Sequence, residues 1–508
     1  MIWLGSSGLT AGEVISVARR GERVELTDGA VAAITGSRAI VDAIIDREEP
    51  LYGVTTGFGS LARTAIPSEQ RSALQQSLIR SHAAGMGDPV ETEVVRAMMV
   101  LRARTLAMGF SGIRLEVVRT LLDVLNGGIV PVVPEHGSLG ASGDLAPLAH
   151  VALTLTGEGF VIGPAGPEPS GAALTRHDIA PAALDAKDGI ALINGTDGIL
   201  GMLLLACEDA RVLFGTAEAA AAMAVEALLG TDRPFAPDLN ALRPHSGQAA
   251  SAANLMRLLA GSPIVASHRY DDPRVQDAYS LRCAPQVIGA GRDTLAHARA
   301  VANIELGSAI DNPMVLPDGR IESCGNFHGA PLGYACDFLA IALADMCSMS
   351  ERRIDRMLDV ARSEGLPAFL SPEPGVNSGL MIGQYTVAAI CAENRRLAAP
   401  ASVDSMPTSA SQEDHVSMGW GAARKLRRVI ANATRVLAIE LVAAAHAVDF
   451  RRPLEPAPGT GAVQRLIRDH VAGPGPDRFL APDFAAARDL IASGAVLAAA
   501  EAATASTT

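Results

Sequence analysis

Lysine is nearly missing: among 508 residues it occurs only at positions 187 and 425. Lys187 sits in the polar stretch Asp185-Ala186-Lys187-Asp188 and Lys425 in a basic block, and neither resembles a pyridoxal phosphate (PLP) pocket. A cofactor that needs a Schiff-base lysine is therefore not expected. Aromatic residues are scarce too, at 4% against 49% hydrophobic residues, which leaves Ala, Leu, Val and Ile to build the core. That composition suits closely packed helices. Six cysteines show no CxxC pair and no spacing with histidine, so they read as reduced thiols in a cytoplasmic protein. Glu135-His136 lacks the second histidine of a zinc helix, and no metal is expected.

Positive charge is thin as well. The formal net charge is −13, and only Arg424-Lys425-Leu426-Arg427-Arg428 rises above the acidic background. Nucleic acid is excluded as a partner on that ground, and the block reads as a solvated helix face or a subunit contact. The longest uncharged runs, such as 375–392, are broken by Asn377, Ser378, Gly379, Gln384 and Tyr385, so no membrane span is expected. Residues 1–7 lack a positive n-region, and no signal peptide is apparent. A Rossmann fingerprint is missing: Gly195, Gly198 and Gly201 have the wrong spacing, with no strand signal before them.

What is present is concentrated in Gly137-Ser138-Leu139-Gly140-Ala141-Ser142-Gly143-Asp144-Leu145-Ala146-Pro147-Leu148-Ala149-His150. Small residues at 140–143 let the backbone fold back, so that the amide nitrogen of Gly143 can reach the carbonyl of Ala141. Loss of water from that ring, and of a second water from Ser142, would leave an alkene conjugated to an imidazolone. Asp144 is placed to cap a helix over 145–156, with Pro147 tolerated in its first turn. The ring would then sit at a helix N-terminus, whose positive end favours developing negative charge.

This string resembles the segment that cyclises to 4-methylideneimidazole-5-one (MIO) in the aromatic amino acid ammonia-lyases and aminomutases. The resemblance runs from about residue 10 to about residue 500, with its motifs in family order. It implies that Ala141, Ser142 and Gly143 become the cofactor. It places the catalytic base at Tyr52, in the loop Leu51-Tyr52-Gly53-Val54-Thr55-Thr56-Gly57-Phe58-Gly59. Asn194 matches an asparagine that contacts MIO and substrate and, with Arg282, holds the carboxylate; Tyr279 matches a tyrosine near MIO, and Phe327 an aromatic that closes the pocket. Gln276, Tyr279 and Arg282 recur at three-residue spacing, which predicts one helical face presenting all three. A guanidinium there can clamp a carboxylate in a bidentate manner.

Two positions bear on the substrate. Where tyrosine- and phenylalanine-specific members carry His-Leu or Phe-Leu, this chain has Ser81-His82, as histidine-acting members do. Glu413 stands where phenylalanine-acting members generally carry glutamine. An imidazole has a donor and an acceptor to satisfy, and His82 with the Glu413 carboxylate can meet them. The resemblance therefore implies elimination of ammonia from L-histidine to give trans-urocanate. A histidine 2,3-aminomutase, or another aromatic amino acid ammonia-lyase, is the alternative.

The implied fold is all-α. A large central bundle of long helices is expected, with a smaller loop-rich N-terminal region carrying the MIO segment. The chain reads as a single catalytic unit: 1–200 with the lid loop and MIO segment, 201–450 the bundle, and 451–508 the C-terminal helices and tail. The family is homotetrameric with shared active sites, and a homotetramer is the expected assembly. Locally, 9–48 reads as short helices separated by Gly and Asp, 91–128 as two amphipathic helices, and 157–170 as a surface excursion with a short β element.

Overall fold

Helices make up 61% of the structure and strands 7%, so the fold is all-α, as expected. The computed structural model describes residues 1–6, 8–46, 55–57, 64–270 and 272–505. By contacts the chain divides into two units, each drawn from three segments. The first comprises 1–205, 298–337 and 400–424; the second comprises 206–297, 338–399 and 425–508.

In the first unit the helix Thr92–Ala107 is the central element, packed against Ala11–Arg20 and Leu115–Asn126. It is buried on every side from Val94 to Ala107, so it is not the amphipathic helix its sequence predicts. The reason lies in its arginines. Arg96 donates to the carbonyls of Val17 and Leu125, Arg102 to those of Asn194 and Ile310, and Arg104 to those of Glu305 and Ser308. Backbone carbonyls thus replace water around three charged heads, which is the condition under which burial of a charge is tolerated.

The helix Asp28–Asp46 likewise runs unbroken through Gly36, where a break was expected. Gly36 is exposed, and Ile34, Ser37 and Val41 bury the opposite face. That packing offsets the roughly 1 kcal/mol a mid-helix glycine costs. All the named strands belong to this unit, in two-stranded pairs. One is the hairpin Phe160–Gly163 with Gly166–Pro169, the β element expected in 157–170.

The second unit is helical. Its buried carboxylate Glu226 accepts from the Ser262 hydroxyl at 2.5 Å and the Ala457 amide at 2.7 Å, joining three sequence-distant stretches. Arg353 and Glu440 form a buried ion pair in the same unit, with Nη2 to Oε2 at 3.1 Å. Among the described residues two helices, Ala330–Leu358 and Gly419–Asp449, are long and apolar enough to cross a membrane. Their apolar windows are 61% and 83% buried within the fold, the pattern of core helices. None of the six cysteines forms a disulfide. In the basic block Arg424 pairs with Glu91, Arg427 with Asp209 and Arg428 with Glu393.

Candidate active site

The loop between the strand Pro134–His136 and the helix Leu145–Leu155 is shaped by positions that exclude side chains. Gly140 and Gly143 have φ of +70° and +75° and pair with each other in an isolated bridge. A β-carbon on Gly140 would stand 2.0 Å from the Ser417 hydroxyl, and one on Gly143 would stand 2.1 Å from the Gly195 carbonyl oxygen. Ser142 between them also has positive φ, 53°, at a cost of about 1–3 kcal/mol for a non-glycine residue. The backbone therefore doubles back across Ala141-Ser142-Gly143, and a tight reversal of small residues is what an internal cyclisation needs. The residues present fit the MIO group.

Asp144 does not cap the helix that follows it, contrary to expectation. Its side chain turns away: Oδ2 accepts from the amides of Gly198 and Ile199, each at 2.9 Å, in the first turn of the helix Asp197–Ala227. Its own amide donates to the Gly195 carbonyl at 2.7 Å. The free amides at the start of a helix attract a carboxylate wherever it comes from in the sequence. Burial pushes the Asp144 carboxyl up to about 7; the Ile199 amide opposes this, while Asp197 adds to it.

Ala141 and Ser142 lie on the wall of a cavity of about 580 Å³ within the first unit, a size suited to a small ligand. His82, Asn194 and Glu413 share that wall. His82 ends the helix Arg71–His82, and its Nδ1 lies 2.9 Å from the Leu78 carbonyl, which can only accept. Nδ1 therefore carries the proton, and Nε2 is left as the acceptor nitrogen. Burial lowers the His82 pKa, against the raising effects of the Leu78 carbonyl and Glu413, so the neutral ring is favoured.

Glu413 is held by a turn in which Thr408 and Glu413 pair backbone to backbone, the Thr408 amide donating at 2.8 Å. Ser409, Ala410 and Ser411 within it have φ of 51°, 52° and 66°. Three consecutive left-handed residues are a concentration of strain that recurs at functional sites. Glu413 Oε2 is buried without a hydrogen-bond partner among the described residues, and so is Asn194 Oδ1. Unpaired acceptors on a cavity wall are groups that a ligand's N–H donors can satisfy. Asn194 closes the helix Asp188–Ile193, and its Nδ2 donates to the Asn312 carbonyl at 2.8 Å.

The other expected residues fall elsewhere. Tyr52 lies outside the described residues. The base of its loop is described: Gly57 and Ile66 donate to the carbonyls of Thr64 and Thr55, and Gly57, Thr64 and Ile66 line the cavity. Phe327 is half-buried in the first unit and is not among the lining residues. Gln276, Tyr279 and Arg282 belong to the second unit. They do not share one helical face, because the helix starts only at Tyr279 and Gln276 stands exposed ahead of it. Arg274 keeps that approach non-helical, donating back to Asp272 and to the Leu228 carbonyl. The Arg282 guanidinium stacks over the Tyr279 ring at 4.5 Å, a cation–π contact.

Lys187 and Asp311 were not singled out as site residues from the sequence. Lys187 is fully buried, not part of a polar surface, and its Nζ lies 2.9 Å from Asp311 Oδ2. No local sequence pattern connects Asp311 with Lys187 across 124 positions.

Residues 9–469 match the family described as aromatic amino acid lyase. A histidine ammonia-lyase from Streptomyces avermitilis is 59% identical over 500 residues, covering 98% of each chain. One from Deinococcus radiodurans is 50% identical, covering 97% of this chain and 94% of that one. Among solved structures, histidine ammonia-lyase from Trypanosoma cruzi superposes with a TM-score of 0.91 at 40% identity, covering 99% of this chain and 95% of that one. Tyrosine aminomutase from Streptomyces globisporus gives 0.93 at 39% identity, covering 98% of each. A doubled-back Ala-Ser-Gly turn on a cavity wall, and a match that spans nearly the whole sequence, have one reading: the chain belongs to the aromatic amino acid lyase family.

Proposed function

We propose that this chain eliminates ammonia from L-histidine to give trans-urocanate. The observation that carries the reading is the common wall on which Ser142, His82 and Glu413 meet. The amine of an amino acid is a poor leaving group and its β-hydrogen is barely acidic, so the reaction demands an electrophile and a base together. MIO formed from Ala141, Ser142 and Gly143 supplies the electrophile. The chain's own residues do the rest.

Glu413 accepts one ring N–H through its unpartnered Oε2, and His82 Nε2, also an acceptor, takes the other N–H of the protonated imidazole. A phenyl ring in this pocket would leave both of these groups unpaired. Asn194 offers an amide oxygen, which suits the substrate's amino group better than its carboxylate. Arg282 binds the carboxylate with the Tyr279 ring stacked against its guanidinium, and Gln276 and Phe327 are further substrate contacts by family resemblance. Tyr52 takes the β-proton. The whole chain acts as one catalytic unit, in a cytoplasmic homotetramer with shared active sites.

Incubation with L-histidine tests the reading, with urocanate followed in the near ultraviolet. Formation of β-histidine instead would identify an aminomutase, an outcome kept open by the likeness to tyrosine aminomutase. Unchanged L-histidine would overturn both.

A further inference from the structure

Lys187 and Asp311 form an ion pair in which both side chains are 0% exposed. Such a pair is a poor source of stability, because removing two charges from water cancels much or all of their attraction. Its surroundings point to another role. Asp311 Oδ2 takes the Lys187 ammonium, while Oδ1 accepts the Asn312 amide at 2.7 Å. The Asn312 carbonyl then accepts from Asn194 Nδ2 at 2.8 Å, and the Asn312 side-chain oxygen accepts from the Cys324 amide at 2.9 Å.

A second buried cation grips the same two places. Arg102 donates through Nη1 to the Asn194 carbonyl and through Nη2 to the Ile310 carbonyl, both at 2.8 Å, with Asp197 at 3.4 Å. Gly195 must be glycine for this to fit, since a β-carbon there would stand 2.4 Å from Arg102 Nη1. The segment 310–312 is thereby fixed by one lysine and one arginine, and Asn194 is fixed to it by main chain and side chain alike. Asn194 lines the cavity, and its amide oxygen is buried without a hydrogen-bond partner among the described residues.

We propose that the Lys187–Asp311 pair is a positioning device for Asn194: it anchors the Asn312 carbonyl, which orients the Asn194 amide so that its oxygen meets the substrate's amino group. The inference rests on the proposed lyase function. A charged anchor suits the task because a low-dielectric ion pair holds one geometry more tightly than a neutral contact. A small misplacement of a group that orients a substrate is also costly to the rate.

The test is the double variant Lys187→Met/Asp311→Asn, which removes both charges together and keeps an acceptor for the Asn312 amide. The expected result is a fall of about ten-fold or more in kcat/KM for L-histidine, larger in kcat than in KM. In an Asn194→Ala background the same change should cost about two-fold or less, since the group it positions is gone. Calorimetry of L-histidine binding to Ser142→Ala protein, which cannot cyclise, should show the same dependence on Asn194. An equal loss in both backgrounds, or no loss in either, overturns the proposal.

Should the double variant fail to fold, Lys187→Arg keeps the charge at a different reach and carries the same comparison. Crystal structures separate this proposal from the functional reading. Loss of the Asn194 to Asn312 hydrogen bond in the variant is expected whatever the substrate, and its retention overturns the positioning role. Failure of the unaltered chain to convert L-histidine overturns the functional reading instead.

Discussion

The carboxylate of Asp144 holds the backbone amide of Ile199 at 2.9 Å, and with it that of Gly198, so the reactive loop is fastened to the helix beginning at Asp197. Asp144→Ala frees two buried donors, each worth roughly 1–3 kcal/mol when left unsatisfied. The expected outcome is a lower urea midpoint and an intact mass that no longer shows the loss of two waters. A variant with unchanged midpoint and unchanged mass would mean that the fastening is immaterial.

Ser142→Ala removes the hydroxyl whose loss creates the alkene, at a position lining the cavity. Turnover should vanish while the circular dichroism spectrum stays the same. Activity near that of the unaltered chain would contradict the cofactor assignment.

Glu413→Gln keeps the shape but gives up the anionic acceptor at a buried, unpartnered oxygen. The L-histidine reaction should weaken by about ten-fold or more, in line with about 1.5–3 kcal/mol for a charge-assisted hydrogen bond, while phenylalanine use changes less. Competition between the two substrates measures the ratio. An equal loss on both removes Glu413 from ring recognition.

Acid stability is set in part by the second unit. Burial and then the Arg468 charge lower the His446 pKa to about 3. Below its ordinary value of 6.5 the unfolded chain takes up a proton that the native state refuses until about 3. Stability is therefore lost as pH falls through that window, by roughly 1.4 kcal/mol for each pH unit at most. Urea midpoints from neutral pH downward should fall more steeply for the unaltered protein than for His446→Gln. Parallel curves would show that His446 does not govern the slope.

Much of the site could be read along the chain because its parts are local strings. Gly140 to Asp144 announces a tight reversal whatever surrounds it, and Ser81-His82 and Glu413 lie in short recognisable stretches. The all-α class was equally legible, since an aromatic-poor core of Ala, Leu, Val and Ile favours close helix packing. The failures share one cause. Thr92–Ala107 looked amphipathic because three arginines count as polar until backbone carbonyls far away in sequence are seen to receive them. Asp144 looked like a cap for its own helix because the competing helix start is more than fifty positions distant.

What the sequence determined by itself is the set of reactive and recognising groups and the helical material that carries them, since both follow from residue type and spacing. Only the tertiary structure decided which atoms those groups present: Nε2 of His82, Oε2 of Glu413 and the amide oxygen of Asn194. It alone placed Lys187 in the interior against Asp311. A side chain's orientation is set by whichever distant donors and acceptors reach it first, and a linear pattern carries no record of those encounters.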